Sequence, residues 1–345
     1  MSQAQTSDQT QRIPVSIITG FLGSGKTTLL RDLISQPGME SIALIINEFG
    51  EVGLDNLLVE TAIENTLLLE NGCICCSVRG DLIDTINDLF AKVRTNIIPN
   101  FSRIVIETTG LAEPGPIVNT ISTERVLVSR CRLDNVVTLI DGVQGKMQAR
   151  TYPEAIKQIA QADIGLITKR DLISVADASG LAAFAAEVNP AIRLEEVEHG
   201  HVSPDMIFGQ FDNHGDMSFA PVSEEGPAHR HNDHSHEFSN EHQHGDVVTW
   251  SFVGRASLNR DRLFAWLQML YSLRASHMLR LKGLVRLEGY TDPILLQMVG
   301  PVLGNPQLLT EWPGGEEKTR LVLIAKGISM SDLRDSFERH VLAPA

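Results

Sequence analysis

One stretch near the start of the chain, residues 20–28, restricts the possible folds more than any other feature. It reads Gly-Phe-Leu-Gly-Ser-Gly-Lys-Thr-Thr and satisfies the phosphate-loop pattern G-x-x-x-x-G-K-[ST]. An apolar, β-branched run at residues 13–19 precedes it, and leucines with helical spacing follow it. A strand, a glycine-rich turn and a helix in this order direct backbone N–H groups at one phosphate. The pattern therefore predicts a nucleoside triphosphate site rather than an ordinary glycine-rich turn.

Each residue type in this loop suits a separate part of phosphate binding. Glycines let the backbone approach the phosphate oxygens because they carry no side chain. We expect Lys26 to reach the β- and γ-phosphates and the Thr27 hydroxyl to ligate Mg²⁺. The nucleotide-binding residues predicted in the loop are Gly20, Gly23, Ser24, Gly25, Lys26, Thr27 and Thr28.

Short β-rich runs alternate with helical patterns from residue 13 to about residue 200. This alternation predicts an α/β fold, a P-loop NTPase with a mostly parallel sheet flanked by helices. Polar residues follow several of the runs, at the strand ends where open α/β sheets bind ligands. The six predicted strands lie at 13–19, 41–46, 104–106, 136–140, 164–167 and 192–197.

The composition changes between residues 209 and 246, where apolar density falls and histidines concentrate. Four regions are therefore expected: a disordered tail at 1–12, a P-loop GTPase domain at 13–208, a His-rich linker at 209–246 and a small α+β domain at 247–345. The last region has strand patterns at 247–253, 278–287, 294–302 and 320–324, and helical patterns at 258–273 and 329–340. Its pattern leaves open whether the domain is structural or binds a partner.

The charge balance excludes some classes of partner. Acidic residues outnumber basic residues 43 to 29, which gives a formal net charge of −14. A nucleic-acid binder would carry a basic surface instead. No apolar run approaches the roughly 20 residues of a membrane span, and the polar N-terminus shows no signal segment. We expect a cytoplasmic protein with reduced cysteines and with neither nucleic acid nor membrane as partner.

The nucleotide is indicated by Thr168-Lys169-Arg170-Asp171, which follows a predicted strand and resembles the N/T-K-x-D element of GTPases. The Asp171 carboxylate can accept hydrogen bonds from the guanine N1–H and exocyclic amine, whereas adenine offers no matching pair of donors. The stem of Lys169 would lie along the base. Thr168, Lys169 and Asp171 are therefore predicted to bind the nucleotide, and GTP is favoured over ATP. The alternative is that Lys169 and Asp171 are ordinary surface residues.

Glu107-Thr108-Thr109-Gly110 follows another apolar run. Glu107 can reach Mg²⁺ directly or through water, and the Gly110 N–H can approach the γ-phosphate as part of a nucleotide-sensing switch. Lys26, Glu107 and Gly110 are the predicted catalytic residues. A strand-end glutamate followed by a turn glycine is the simpler alternative.

Three of the four cysteines fall within Asn71-Gly72-Cys73-Ile74-Cys75-Cys76. Thiolates at this spacing after an Asn-Gly turn can converge on one borderline cation, and Zn²⁺ would need a fourth ligand. The segment 47–55 supplies Glu51 or Glu48 as an oxygen ligand. Metal binding is favoured over redox chemistry or buried hydrophobic cysteines. Cys131 is isolated and is expected to be a bystander in the core or at the surface.

Histidines in the linker form a second candidate metal-binding segment. Histidines at alternating positions can bind Zn²⁺, Co²⁺ or Ni²⁺ through their imidazoles, although a solvated polar linker explains these histidines equally well. The residues concerned are His229, His231, His234, His236, His242 and His244.

Taken together, these motifs resemble the CobW-type metallochaperone GTPases, relatives of the urease and hydrogenase maturation GTPases. The resemblance extends beyond the linker to Leu279-Arg280-Leu281-Lys282-Gly283 and residues 312–325, which are similar to the CobW C-terminal domain. The other motifs that carry it are the phosphate loop, Asn47-Glu48-Phe49-Gly50-Glu51, Gly72-Cys73-Ile74-Cys75-Cys76, Glu107-Thr108-Thr109-Gly110 and Thr168-Lys169-Arg170-Asp171.

The resemblance implies a slow GTPase whose nucleotide state is coupled to a metal ion held by Cys73, Cys75 and Cys76, with Glu51 as the switch-region glutamate. Some members have a further Glu just before Asn-Glu-Phe-Gly, where this chain has Ile46. The implied partner is a client metalloprotein, and a homo-oligomer is possible. Zinc homeostasis, cobalt delivery for cobalamin synthesis and nitrile hydratase activation all occur in the family, and thiolates with histidine favour zinc. An ATP-dependent P-loop enzyme and a non-enzymatic metal buffer are the rival classes.

Overall fold

The computed structural model describes residues 12–39, 41–46, 67–70, 78–208, 236–237 and 242–343. Several residues predicted to bind metal lie outside these ranges, so their roles stay predictions. They are Glu48, Glu51, Cys73, Cys75, Cys76, His229, His231 and His234. The predicted tail at 1–12 also lies outside the described residues, except for Arg12.

The chain divides into two compact units. The first comprises residues 1–158, 162–182 and 194–212, and the second comprises residues 159–161, 183–193 and 213–345. Two short internal segments, 159–161 and 183–193, group with the second unit, and the division after them falls between residues 212 and 213, within the predicted linker at 209–246. The domain limits at 208 and 247 stay predictions.

The first unit is built on a seven-stranded sheet with the order β3-β2-β4-β1-β5-β6-β7. Strand β1 pairs in parallel with β4 and β5, β2 pairs in parallel with β3 and β4, and β5 pairs in parallel with β6. The predicted α/β fold with a mostly parallel sheet is therefore confirmed. The strands are β1 (Ile13–Gly20), β2 (Ile42–Ile46), β3 (Leu67–Glu70), β4 (Arg103–Glu107), β5 (Cys131–Asp141), β6 (Ile164–Thr168) and β7 (Arg193–Glu196).

Helices alternate with these strands, as the pattern predicts. Helix α1 buries Leu29, Leu30 and Leu33 in one cluster with apolar side chains of the central strands. Burial of each such side chain contributes about 1.5–3 kcal/mol. The helices are α1 (Lys26–Ile34), α2 (Val78–Arg94), α3 (Gly115–Thr123), α4 (Arg125–Val128), α5 (Gly145–Thr151), α6 (Pro153–Gln161), α7 (Val175–Val188) and α8 (Pro204–Ile207).

Two features of this sheet differ from the prediction of six strands. Strand β3 is a seventh strand whose sequence, Leu-Leu-Leu-Glu, favours a helix by composition and has no alternation. Strand β5 begins at Cys131 instead of residue 136, because its first half contains charged residues that hide the strand pattern. One of them, Asp134, is fully buried, where it accepts a 3.1 Å hydrogen bond from Ser16 and pairs with Arg103.

The second unit contains a sheet with the main order β13-β12-β11-β15-β10-β8, with β14 paired to β12 and β9 paired to β10. The pairs formed by β10, β11, β12 and β15 are antiparallel. The strands are β8 (His236–Glu237), β9 (His242–His244), β10 (Val247–Gly254), β11 (Met278–Val285), β12 (Ile294–Val299), β13 (Val302–Leu303), β14 (Gln307–Leu308) and β15 (Thr319–Lys326).

Two helices pack on this sheet, α9 (Arg260–Arg274) and α10 (Met330–Phe337). The Phe337 ring lies 5.0 Å from both Trp250 and Trp266, measured between ring centroids, at the centre of an aromatic core. Trp266 also donates a 3.0 Å hydrogen bond to Ser336. The predicted small α+β domain is therefore confirmed.

Details of this unit differ from the sequence pattern at the element ends. Strand pairing begins at β8 and β9, inside the predicted His-rich linker, because these short strands pair with β10. The predicted strand at 294–302 ends at Val299, since Gly300 turns the chain with a φ of 55°. The closing helix ends at Phe337 and continues as a π-helix over Glu338–Leu342. Ser329 occupies the N-cap position of α10, but its hydroxyl contacts the Ser331 hydroxyl instead of the backbone.

None of the helices in the described part of the chain combines the length and the apolar character that a membrane crossing requires.

Candidate functional site

The predicted site residues meet at one edge of the parallel sheet. In the strand register Ile18 lies opposite Glu107, Gly20 lies opposite Leu139, and Asp141 lies opposite Thr168. Because the strands run parallel, their carboxyl ends share an edge, and the loops that follow them are neighbours. The sheet therefore brings together the phosphate loop, the segment after Glu107 and the segment after Thr168, as the sequence predicts.

The phosphate loop joins β1 to α1 and requires glycine at two places for different reasons. Gly25 has a φ of 93° immediately before α1, a left-handed conformation that suits glycine. Gly20 has a φ of 148°, and a side-chain carbon there would lie 2.6 Å from the Leu139 carbonyl oxygen. Gly23 also has a positive φ, of 74°. The loop backbone therefore depends on the glycines of the motif.

Lys26 lies across the loop that precedes it. Its ammonium donates a 2.9 Å hydrogen bond to the Gly20 carbonyl and a 3.4 Å hydrogen bond to the Phe21 carbonyl. Thr27 is half-buried in the first turn of α1, and Thr28 beside it is exposed. The lysine thus places a positive charge at the helix N-terminus, where backbone N–H groups already favour an anion.

Thr168 connects the predicted base-reading segment to the phosphate loop. Its buried hydroxyl donates a 2.8 Å hydrogen bond to the carbonyl of Ser24. This position thus has a structural task beyond the role in nucleotide binding that its motif suggests.

Lys169 forms an ion pair with Asp141. The sequence gives little sign that Asp141 contacts the predicted base-reading segment. The Lys169 ammonium lies 2.6 Å from Asp141 Oδ2, while Asp141 Oδ1 accepts backbone hydrogen bonds from Val143 and Gln144 at 2.8 and 3.1 Å. Lys169 has a φ of 55°, a left-handed conformation that is uncommon outside glycine. The only signal for Asp141 is its place at the end of a buried strand, directly before a glycine.

Asp171 lies at the surface with its carboxylate held by the loop that follows β7. The backbone N–H of His199 donates a 3.3 Å hydrogen bond to Asp171 Oδ1. This hydrogen bond lowers the pKa of the Asp171 carboxyl below its ordinary value of 3.8. An ionised carboxylate only accepts hydrogen bonds, which is the property that guanine recognition requires.

The segment after β4 lies directly against the phosphate loop. Thr108 donates a backbone hydrogen bond of 3.0 Å to Ile18, and its hydroxyl lies 2.7 Å from the Thr19 hydroxyl. A side-chain carbon at Gly110 would lie 2.8 Å from the backbone nitrogen of Leu22 in the loop. Close approach of these two backbones therefore requires glycine at position 110.

Two side chains from α6 hold this same segment from the other side. Gln158 is buried and donates hydrogen bonds of 3.2 and 2.9 Å to the carbonyls of Gly110 and Ala112. Lys157 pairs with Glu113 at 2.8 Å. The sequence analysis missed both residues, since neither belongs to a motif that indicates nucleotide chemistry.

The described residues do not by themselves form a cluster for a transported metal. Among the residues for which the structure gives positions, no group of three or more His, Cys, Asp and Glu side chains is arranged to hold a metal ion. His236, His242 and His244 fall within β8 and β9. Thr27 carries a hydroxyl and Glu107 a buried carboxylate, and both are hard oxygen groups of the type that Mg²⁺ prefers.

Two protein-family models match separate parts of this chain. Residues 14–195 match the CobW/HypB/UreG nucleotide-binding domain, and residues 247–341 match the cobalamin synthesis protein cobW C-terminal domain. Among similar proteins, the zinc chaperone YjiA from Escherichia coli (strain K12) is 33% identical over 93% of this chain and 95% of its own length. The zinc chaperone CobW from Sinorhizobium sp is 31% identical over 91% of this chain and 92% of its own length.

A solved structure has the same fold. The crystal structure of a zinc-bound triple mutant of YjiA GTPase matches with a TM-score of 0.73 and 25% sequence identity, covering 95% of this chain and 99% of that one. The chain belongs to the CobW/HypB/UreG family, as a GTPase that carries the CobW C-terminal domain.

Proposed function

We propose that this GTPase is a metallochaperone that binds zinc and delivers it to a client metalloprotein according to its nucleotide state. Cys73, Cys75 and Cys76, with Glu51, hold the transported ion. The similar proteins named zinc chaperones support zinc over the cobalt that the sequence also allows. Thiolate ligands favour the same choice.

The contact between Gly110 and the phosphate loop carries this proposal. The backbone at Gly110 lies close to Leu22, so a shift of the phosphate loop would be passed to the segment after Glu107. Gln158 and Lys157 also contact this segment. A change from GTP to GDP beside Lys26 would therefore act on a segment in direct contact with the loop, as expected of a switch.

The sheet topology supports placing the transported metal at the same edge. In the register, Ile46 at the end of β2 lies opposite both Glu70 at the end of β3 and Glu107. Residue 47 begins the segment that contains Glu51, and residue 71 begins the segment that contains the C-x-C-C motif at Cys73 to Cys76. Both predicted metal-binding segments thus follow strands that end level with the switch segment.

The proposal gives each nucleotide-binding residue a role that its position supports. Lys26 and the N–H groups at the start of α1 neutralise the phosphates, and Asp171 accepts the hydrogen bonds of guanine. Thr27 and Glu107 would hold Mg²⁺, which supplies charge neutralisation to the β- and γ-phosphates when bound. The Gly110 N–H would approach the γ-phosphate, so that its loss on hydrolysis would be sensed by this segment.

Metal and nucleotide then influence each other. GTP orders the segments that contain Glu51 and the thiolates, and hydrolysis relaxes them and releases the ion to the client. Because coupling between two binding equilibria is reciprocal, bound zinc also raises the affinity for GTP by the same factor. The client is a metalloprotein, the setting is the cytoplasm, and association into a homo-oligomer is compatible with this cycle.

The test is zinc affinity, measured by competition with a chromophoric chelator, in the forms loaded with a non-hydrolysable GTP analogue, loaded with GDP and free of nucleotide. We expect the tightest binding in the GTP-analogue form. The C75S/C76S variant should lose tight zinc binding and, measured in the absence of zinc, keep the GTP affinity of the original chain. The matched control is Cys131→Ala, which removes a buried cysteine elsewhere and should leave zinc affinity unchanged.

Equal zinc affinity in all three nucleotide forms would refute the coupling. Unchanged zinc affinity in C75S/C76S would refute the site. A variant lacking residues 229–244 tests the metal-buffer alternative, because a buffer would lose nearly all its metal whereas a chaperone keeps the thiolate site. Repeating the titration with Co²⁺ tests the roles in cobalamin synthesis and nitrile hydratase activation.

A further inference from the structure

A short loop after β7 has an unusual backbone conformation directly beside Asp171. His199 has a φ of 53° and Gly200 has a φ of 78°, so two consecutive residues adopt the left-handed region. Such a conformation is uncommon for residues other than glycine. A left-handed non-glycine residue that contacts a predicted recognition side chain calls for an explanation in terms of that contact.

The left-handed backbone of His199 directs its N–H at the Asp171 carboxylate. The His199 nitrogen lies 3.3 Å from Asp171 Oδ1, and the His199 imidazole Nδ1 lies 3.6 Å from Asp171 Oδ2. A carboxylate offers about four acceptor sites, so one bond from His199 leaves sites for both guanine donors. The lowered pKa of Asp171 has this same hydrogen bond as its main cause.

The other side of the loop is fixed to α1. A side-chain carbon at Gly200 would lie 2.8 Å from Thr28 Cγ2, so the loop packs closely on the first turn after the phosphate loop. Asp32 in the same helix lies 3.0 Å from the His201 imidazole and accepts a 3.4 Å hydrogen bond from the Val202 N–H. These contacts attach the loop to α1 at points that do not involve Asp171.

At its start the loop is also held by the sheet. Val197 donates a 2.8 Å hydrogen bond to the Ile167 carbonyl in β6, and its own carbonyl accepts a 3.3 Å bond from Arg170. The loop that contains His199 is therefore attached to two elements. One is β6, which precedes the predicted base-reading segment, and the other is α1, which follows the phosphate loop.

We propose that His199 is a positioning residue for guanine selectivity, which acts by aiming its backbone N–H at Asp171 and holding the carboxylate toward the base. This inference rests on the proposed role of Asp171 as the guanine acceptor. Selectivity then depends on the left-handed backbone at position 199 and on the packing of Gly200 against Thr28, and not on the side chain of Asp171 alone.

The proposal distinguishes two kinds of substitution at the same position. Asparagine tolerates the left-handed region, whereas a β-branched residue is strongly disfavoured there. H199N should therefore keep the N–H in place, and H199V should displace it. The matched control is Asn96→Val, which places valine at another left-handed position, with a φ of 56°, after α2.

The measurement is the ratio of affinities for GDP, IDP and ADP in the full chain, by calorimetric titration. IDP lacks the exocyclic amine of GDP, so the GDP-to-IDP ratio reports the second hydrogen bond to Asp171. We expect H199V to lower the GDP-to-IDP and GDP-to-ADP ratios by about tenfold, the value of one hydrogen bond to a charged group. H199N and N96V should keep both ratios. A purely structural effect would weaken all three nucleotides equally.

Asp171→Asn shows whether a negative result overturns the positioning role of His199 alone or also the base-reading role of Asp171. If D171N loses guanine preference and H199V keeps it, the positioning role is refuted while Asp171 remains the acceptor. If D171N itself keeps guanine preference, the base-reading role of Asp171 fails and the inference fails with it. Equal loss of all three affinities in H199V would also overturn the positioning role.

Discussion

The Thr168 hydroxyl donates a 2.8 Å hydrogen bond to the carbonyl oxygen of Ser24, across 144 residues of sequence. Thr168 begins the segment predicted to read the base, and Ser24 lies in the phosphate loop. Both residues are buried. One hydrogen bond thus links the two segments that are predicted to recognise the two ends of a nucleotide.

Replacing Thr168 with valine removes this donor with little change in shape. The Ser24 carbonyl would lose its partner, so we expect the free energy of unfolding to fall by about 1–3 kcal/mol. GDP affinity should fall by about tenfold because the loop is no longer fixed relative to the base segment. T168S keeps a hydroxyl and should restore most of both quantities. Equal GDP affinity in T168V and the original chain would contradict this link.

Gly110→Ala should impair GTP hydrolysis more than GTP binding. The added carbon would meet Leu22 at 2.6 Å from its side chain and 2.8 Å from its backbone nitrogen, so either the switch segment or the loop must shift. Misplacement of this kind costs about a factor of 100 in rate when it affects reacting groups. Single-turnover hydrolysis and zinc affinity in the GTP-analogue form are the measurements.

The control for that variant is Gly180→Ala. A side-chain carbon at Gly180 in α7 would meet nothing within 4 Å, so this change should leave hydrolysis unaltered. Helix propensity predicts a stability gain of about 1 kcal/mol. Hydrolysis that falls equally in G110A and G180A would show that the contact with Leu22 is not responsible.

The Asp171 carboxylate leads to a prediction about bases and a prediction about pH. Xanthine has a carbonyl where guanine has its amine, so Asp171→Asn should shift preference from GDP to XDP, because an amide can donate.

Since the pKa of Asp171 lies below 3.8 in the folded protein, guanine preference should persist as the pH is lowered to about 5. It should be lost only as the pH falls through the lowered pKa and the carboxylate gains a proton. Loss of preference between pH 7 and about 5 would contradict the lowered pKa.

Cys131 should be chemically inert in the folded protein. Burial raises the pKa of its thiol from 9.0 to about 12, and only the thiolate reacts with alkylating reagents. In a variant with Cys73, Cys75 and Cys76 replaced by serine, Cys131 is the remaining cysteine, and iodoacetamide at neutral pH should label it only after denaturation.

The same raised pKa lowers stability at alkaline pH. In the unfolded chain the Cys131 thiol ionises near pH 9.0, whereas in the folded protein it stays protonated to about pH 12. Ionisation therefore favours unfolding between these values, and the Cys131→Ala variant should lack this part of the alkaline destabilisation. Rapid labelling of the folded triple variant would contradict the buried position.

Local patterns in the sequence were sufficient to locate most of the strands and the three nucleotide motifs. The phosphate loop, Glu107-Thr108-Thr109-Gly110 and Thr168-Lys169-Arg170-Asp171 each combine a buried strand with a turn, and such combinations are visible within a few residues. Strand β3 was missed because a leucine run has no strand-specific signal. The first half of β5 was missed because the burial of Asp134 depends on Ser16 and Arg103, which are distant in sequence.

The amino-acid sequence by itself determined the fold class and the positions of the nucleotide motifs, because strand, turn and helix propensities are local properties. Only the tertiary structure decided which residues support those motifs. Lys169 meets Asp141 across 28 residues, His199 meets Asp171 across 28 residues, and Gly110 meets Leu22 only once β4 lies beside β1. The register between parallel strands creates these contacts, and neighbouring residues along the chain do not encode that register.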